Sequence, residues 1–333
     1  MSQPPAAETF PDDLPELPPV ETPTAAFIVQ LFVIPAVVVA VVIGVWLLFG
    51  KLAGGERDVM DYVRTLKDPN VNRRWRAAYE LASLIQNDPK LARDSALLGE
   101  LCGLLDDEVA KPGPDPEVPR FLAHSLGAFQ TLDAKGVGGR AVDPQRSLAG
   151  ALDSKQPSTV RAAAAQSLGR LASRLKVGEG HPEVAAALAA TLADAEEPEL
   201  RQRAAYSLGY LRGDAAGEAL RARLKEDEDR SVRYNIGAAL ARRGDLAATD
   251  ALREMLSAPD LAAALKGENA SETERRAEAV ELEAIWALQA SVKAGKPELA
   301  RSVRKELEAL SKVAASGVKA EVDTLLNALG AGN

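Results

Sequence analysis

The stretch VRAAAAQSLGRLA, from Val160 to Ala172, decides the reading of this chain, because four other segments repeat its outline. NRRWRAAYELASL begins at Asn72, EVPRFLAHSLGAF at Glu117, ELRQRAAYSLGYL at Glu199 and SVRYNIGAALARR at Ser231. Aligned on the leucine that follows the small-residue centre, the copies fall at Leu81, Leu126, Leu168, Leu208 and Leu240, at intervals of 45, 42, 40 and 32 residues. A period near 40 residues built from helical segments is the mark of stacked helix pairs. Between the copies lie SALLGELCGLL from Ser95, PEVAAALAATLA from Pro182, GEALRARLKE from Gly217 and TDALREMLS from Thr249. Each carries leucine and alanine at three- and four-residue spacing, the seam of an amphipathic second helix.

Local chemistry agrees. Asp68, Asp115 and Asp229 stand before helix starts, where a carboxylate accepts from free backbone N–H groups. Arg161, Arg201 and Arg233 then lie near positive helix ends, which disfavour a cation. Their recurrence implies a fixed partner, expected in an acidic residue of the adjacent repeat. Gly127, Gly169 and Gly209 sit inside helical patterns at a cost of about 1 kcal/mol each relative to alanine. Three glycines at one register imply a close helix crossing.

The pattern resembles HEAT repeats, in the HEAT-like variety first associated with phycobilisome lyases, whose core reads Asp-Pro-x-Val-Arg-x-x-Ala-Ala-x-x-Leu-Gly-x-Leu. DPNV at Asp68 and DPEV at Asp115 supply its opening, and VRAAAAQSLGRL and LRQRAAYSLGYL nearly the whole helix. The fifth copy has Ala241 in place of the glycine, and the second has Pro119 in the arginine column. The resemblance implies an all-α fold, an α-solenoid of about seven helix pairs. It also implies a binding scaffold, with a lyase-type enzyme as the alternative. Beyond Leu240 the register has two solutions, on Leu282 and Leu326 or on Leu288 and Leu329.

Ahead of the repeats, Phe27 to Phe49 is a run of 23 residues without a charge. As a helix it spans about 34 Å, enough to cross a hydrocarbon core of ~30 Å. A secretory signal peptide needs a positive n-region and a shorter apolar stretch, and neither is present. Trp46 lies near the end of the run, where an indole prefers the headgroup boundary. Lys51, Arg57, Arg64 and Lys67 follow it, and no cation precedes it, so the expected orientation is N-terminus outside and repeats on the cytoplasmic side of the inner membrane. The expected organisation is an acidic, proline-rich, disordered tail over 1–24, a single-pass transmembrane helix over 25–50 and the repeat domain over 51–333. The lipid bilayer is thus the expected partner of residues 27–49.

The net charge of −8 is weighted toward the tail, which holds five acidic residues and no lysine or arginine. From the hydrophobic run onward, 40 basic residues face 43 acidic ones, a balance that does not favour nucleic-acid binding. One cysteine, Cys102, excludes a disulfide framework. His124 and His181 lie in different repeats and do not suggest a metal site, and His124-Ser125 cannot pair, since adjacent helical residues point about 100° apart. No small-molecule substrate, cofactor or catalytic set is evident, and the expectation is a non-enzymatic scaffold that recruits an unidentified protein. Tyr79, Tyr206, Tyr210 and Tyr234 are the candidate contacts, on the expectation that they are exposed. The alternative is that they cover repeat junctions. Lys67, Arg73, Arg74 and Arg76 either reach lipid headgroups or form a solvated helix face.

Overall fold

The computed structural model describes residues 26, 29–53, 58–111, 113, 115–175, 181–265 and 269–330. The chain divides into two compact units, Met1–Arg57 and Asp58–Asn333.

In the first unit a π-helical turn, Val29–Val33, leads into helix α1, Ile34–Ala53. The 18-residue window Val29–Trp46 has a mean hydropathy of 2.6, and none of its side chains is buried within the chain. Apolar residues with nothing to pack against are those of a helix long and apolar enough to cross a membrane. Pro35 is its second residue, directly after the π-helical turn.

Among its described residues the second unit is built of helices joined by turns and loops, and its one β feature is an isolated bridge, Val137 to Arg140. Helix α2 (Val59–Thr65) precedes the pairs α3 (Val71–Asn87) with α4 (Ser95–Val109), α5 (Glu117–Leu126) with α6 (Pro144–Gly150) and α7 (Ser158–Leu175) with α8 (Pro182–Asp194). Next come α9 (Pro198–Tyr210) with α10 (Asp214–Glu226), and α11 (Arg230–Arg242) with the short α12 (Thr249–Met255) and α13 (Ala258–Ala264). The long α14 (Ala270–Lys293), then α15 (Glu298–Ser302), α16 (Arg304–Val313) and α17 (Ser316–Gly330) close the stack.

First helices pack on first helices, in the order α3, α5, α7, α9, α11, α14 and α17, while α4, α6, α8 and α10 form a second layer. This is an α-solenoid. The aligned leucines, Leu81, Leu126, Leu168, Leu208 and Leu240, are all buried between the layers. Each such side chain contributes about 1.5–3 kcal/mol of burial. Leu288 and Leu329 are buried as well, whereas Leu282 and Leu326 are only partly covered, so the second of the two registers continues the repeat.

The glycine column explains how closely the first layer is packed. A Cβ on Gly169 would lie 2.5 Å from Ser207 Oγ and 2.9 Å from the Tyr206 ring. Gly127 meets Ser167 and Gly209 meets Ala239 in the same way. Small residues thus face small residues one repeat on, and neighbouring backbones approach until no side chain fits between them. In the second pair the connection from Gly127 to Asp143 folds back over α4, where Lys135 N–H donates to the Ser95 carbonyl at 2.9 Å. The KGVGGR segment is the tip of that inter-helix loop, closed by reciprocal backbone bonds of 3.0 Å between Val137 and Arg140.

Candidate functional site

Helix starts follow the expected chemistry. Asp229 caps α11 by accepting from Val232 N–H at 2.9 Å, and Asp115 accepts from Glu117 N–H at 3.0 Å. Asp68 works one step back, accepting from Asn70 N–H at 2.8 Å, while Asn70 itself caps α3.

The arginine column behaves differently from the expectation. Arg161 Nε donates to the Leu152 carbonyl, Arg201 Nη1 to the carbonyls of Ala195 and Glu196, and Arg233 Nη1 to those of Asp227 and Glu228. Each guanidinium therefore reaches back to carbonyls that close the preceding helix, which have no helical partner and sit at a negative dipole end. Among the described residues only Arg201 in this set also holds a carboxylate, that of Asp227, through Nε and Nη2. Arg74 belongs to the same column: Nε donates to the Leu66 carbonyl at 2.9 Å and Nη2 bonds to Glu108. It is therefore a structural arginine of the stack. Its position seven residues before Leu81, the offset shared by Arg161, Arg201 and Arg233, is the signal that identifies it.

Tyr234 is the one candidate contact that the structure removes from the surface. Its ring is 2% exposed, beside Glu254 of α12 and lining a cleft with Leu224 and Ala251. Burial and the neighbouring carboxylate both push its hydroxyl proton affinity up. An aromatic at this helix position turns toward the second layer, where α12 is short and leaves room for it.

Tyr79, Tyr206 and Tyr210 lie on the outer side of the first layer. Tyr79 is 56% exposed and meets the Phe121 ring edge-on, with centroids 5.5 Å apart. Tyr206 and Tyr210 are half-buried, 4.9 Å apart, with the Arg242 guanidinium 5.4 and 4.7 Å from their ring centres. Arg242 in turn bonds to Glu283 of α14, so this pair spans a repeat junction. Trp286 occupies the column of Tyr79 and Tyr206 in the sixth copy, two residues before Leu288, and is 50% exposed. The blurred register after Leu240 conceals it in the sequence.

Between these aromatics the face is lined with arginine. A groove of about 320 Å³ lies between α5, α7 and α9, lined by Arg120, His124, Gln166 and Arg203 among others. A second, of about 290 Å³, continues it toward α11 with Arg170, Tyr206 and Asn235. Arg203 donates to Gln166 Oε1 at 2.8 Å and pairs with Glu199 at 2.5 Å, and Arg120 pairs with Glu117 at 2.5 Å. Burial, followed by the charges of Arg170, Arg120 and Arg203, pushes His124 down to about 4, so its imidazole is neutral at pH 7.

The remaining candidates are quickly placed. Trp46 is 72% exposed on α1. Lys51 falls within α1, and Arg57 lies outside the described residues. Arg64 is an exposed residue of α2 paired with Asp61 at 2.5 Å. Cys102 is buried in α4, and burial pushes its thiol up to about 12. His181 precedes α8, with Nε2 3.1 Å from Asp143 Oδ2. Among the described residues no group of three or more His, Cys, Asp or Glu side chains is arranged to hold a metal ion.

Stacked helix pairs with a continuous first-helix layer define the class, an α-solenoid. More particularly, residues 108–209 and 185–266 match the family model described as HEAT repeats, and this part of the chain consists of such repeats. Comparison with curated proteins returns no significant match. Among solved structures, a computationally designed armadillo repeat protein for modular peptide recognition is 17% identical, with 81% of this chain and 99% of that one covered, at a TM-score of 0.37. The CpcE–CpcF complex of phycocyanin lyase from Nostoc sp. PCC7120 is 20% identical over 83% of this chain and 96% of that one, at 0.36. Human deoxyhypusine hydroxylase is 19% identical over 85% and 99%, at 0.29. Values this low carry no reading of activity.

Proposed function

We propose that this protein is a non-enzymatic scaffold, held at the cytoplasmic face of a membrane by α1, that recruits a protein partner on the outer side of its first-helix layer. The observation that carries the reading is the row of aromatic and arginine side chains along that side, from Tyr79 through Arg120, Arg170 and Tyr206 to Trp286. Aromatic residues and arginine are the side chains that protein interfaces favour. Tyr79 and Trp286 are large rings left half open to solvent, with no need of exposure for the fold itself. The tether rests on the apolar window Val29–Trp46 and the cations that follow it.

A photo-crosslinker in place of Tyr79, in the full-length protein inserted in membranes, tests the binding face. The expected result is one dominant crosslinked protein, absent when the crosslinker replaces the exposed Val313 on α16. Equal yields from both positions would remove the face from consideration. Protease treatment of sealed right-side-out and inside-out vesicles tests the orientation, with the repeats expected to be cut only in the inside-out preparation.

A further inference from the structure

The turns that follow α9, α11 and α14 line one cleft of about 910 Å³. The tripeptide Arg-Gly-Asp forms the first turn at Arg212-Gly213-Asp214 and recurs in the second at Arg243-Gly244-Asp245. Gly213 and Gly244 both take a positive φ, 96° and 70°, a conformation open to glycine and strained for other residues. The third turn supplies Lys296. Its stem lies against Gly244, where a Cβ would be 2.7 Å from Lys296 Cδ, and its Nζ donates to the Arg243 carbonyl at 3.0 Å. Arg221 of α10 and Arg242 of α11 bring the cations of the lining to five, against two carboxylates, Asp214 and Asp245. Asp245 is engaged by Arg221 at 2.5 Å, and Glu283, beyond the lining, is engaged by Arg242. Only Asp214 is left to offset Arg212, Arg243 and Lys296, so two positive charges are in surplus. Arg243 is fixed, with Nη1 and Nη2 bonded to the carbonyls of Leu211 and Gly213. The others keep donors to spare. Among the described residues Arg212 is exposed and makes no hydrogen bond or ion pair, Arg221 uses Nη1 alone, and Lys296 spends one of its three ammonium hydrogens.

We propose that this cleft binds a phosphate monoester as its dianion, with Arg212, Arg221 and Lys296 as donors and Arg243 as the fixed positive wall. A carboxylate cancels one of the two surplus charges, whereas the dianion cancels both. Its three terminal oxygens offer acceptors to the three donor side chains, and charge-assisted bonds of this kind are the strong ones. The same group occurs on soluble esters, such as glycerol 3-phosphate, and on the headgroup of phosphatidate, and the experiment separates these two sources. The inference goes beyond the scaffold reading and does not depend on it.

In the first arm of the test, the full chain in micelles of an uncharged detergent is titrated with glycerol 3-phosphate and, separately, with acetate. Glycerol 3-phosphate is expected to bind saturably, about tenfold more tightly than acetate and more weakly as salt rises. Its affinity should fall as pH drops below about 6, where the dianion takes up a proton. Arg212→Gln is expected to lose about tenfold in affinity with the melting temperature of the free protein unchanged, and Lys296→Gln to lose a similar amount. Arg301→Gln, on exposed surface remote in sequence, should bind as the parent does. In the second arm the chain sits in phosphatidylcholine nanodiscs with or without phosphatidate. A melting temperature raised by phosphatidate and not raised in Arg212→Gln, without binding of glycerol 3-phosphate, assigns the dianion to a lipid; the converse assigns it to a soluble ester. Absence of binding in both arms, acetate binding as tight as the ester, an affinity unchanged across pH 6, or full affinity in Arg212→Gln would each overturn the inference.

Discussion

The guanidinium of Arg201 meets the carboxylate of Asp227 edge to edge, Nε to Oδ2 at 2.8 Å and Nη2 to Oδ1 at 3.0 Å, with Asp227 fully buried. The same carboxylate accepts from Arg223 Nε at 2.8 Å and from Asp229 N–H at 3.0 Å. Asp229 caps α11, so this one pair ties the ends of α8 and α10 to the starts of α9 and α11. Burial on its own would raise the Asp227 carboxyl, but Arg201, the Asp229 amide and Arg223 outweigh it and hold it below the usual carboxylate range.

Asp227→Ala is therefore expected to destabilise the repeat unit by about 3–5 kcal/mol, because it leaves the Arg201 charge buried and unmatched. Replacing both partners with apolar residues should cost less than either single change, and chemical denaturation of the three variants measures the difference. Because the folded carboxyl is held low, its contribution is present above its unfolded value and lost as pH falls below about 4. Acid unfolding of Asp227→Ala should accordingly be flatter than that of the parent.

Gly169→Ala should destabilise the stack although alanine is the better helix former. The propensity gain of about 1 kcal/mol is set against a Cβ placed 2.5 Å from Ser207 Oγ. Overpacking of this kind costs about 1–3 kcal/mol. Gly317→Ala, at a site with no atom within 4 Å of the new Cβ, should stabilise by ~0.5 kcal/mol. Opposite signs for one chemical change, read by thermal unfolding, would confirm that the glycine column is there for close helix approach. Two positive shifts would refute it.

Glu281 stands seven residues before Leu288, the position held by Arg74, Arg161, Arg201 and Arg233 in four other copies, and it is 4% exposed. Burial, then the charge of Glu278, pushes its carboxyl up to about 7. A carboxyl raised on folding favours the protonated native state, so stability declines as pH rises from about 4.5 to about 7 and then levels off. Glu281→Gln is expected to be more stable than the parent at pH 8 by about 1–3 kcal/mol, and nearly equal to it at pH 4.5. A constant difference across that range would count against a buried, titrating Glu281.

Tyr206 and Tyr210 together hold Arg242 against Glu283 across the α9–α11–α14 junction. Replacing both rings with alanine should lower stability by about 1–3 kcal/mol, since aromatic pairing, cation–π contact and buried area are lost together. Conversion of both to phenylalanine should retain most of it. Tyr79→Ala, with its ring largely in solvent, should change stability by less than about 1 kcal/mol. Comparing the melting temperatures of the three variants separates junction residues from surface ones.

Sequence alone determined that this chain is a stack of helix pairs behind one long apolar helix. The leucine column, the capping aspartates and the recurrent glycines are local signals, each legible within a single turn or a single repeat. Their meaning does not depend on what lies opposite. What tertiary structure decided is every contact between residues some 30 to 45 positions apart. Arg74 is read from sequence as either a headgroup contact or part of a solvated helix face and is found bonded to Glu108; Tyr234 is read as a surface contact, with a repeat junction as the alternative, and is found beneath α12. His124, Arg120 and Arg203 line one groove that no single copy encodes. The reason is geometric. Periodicity specifies which face of a helix is buried, whereas the rotation and offset between successive pairs specify which side chains meet, and those follow from packing along the whole stack.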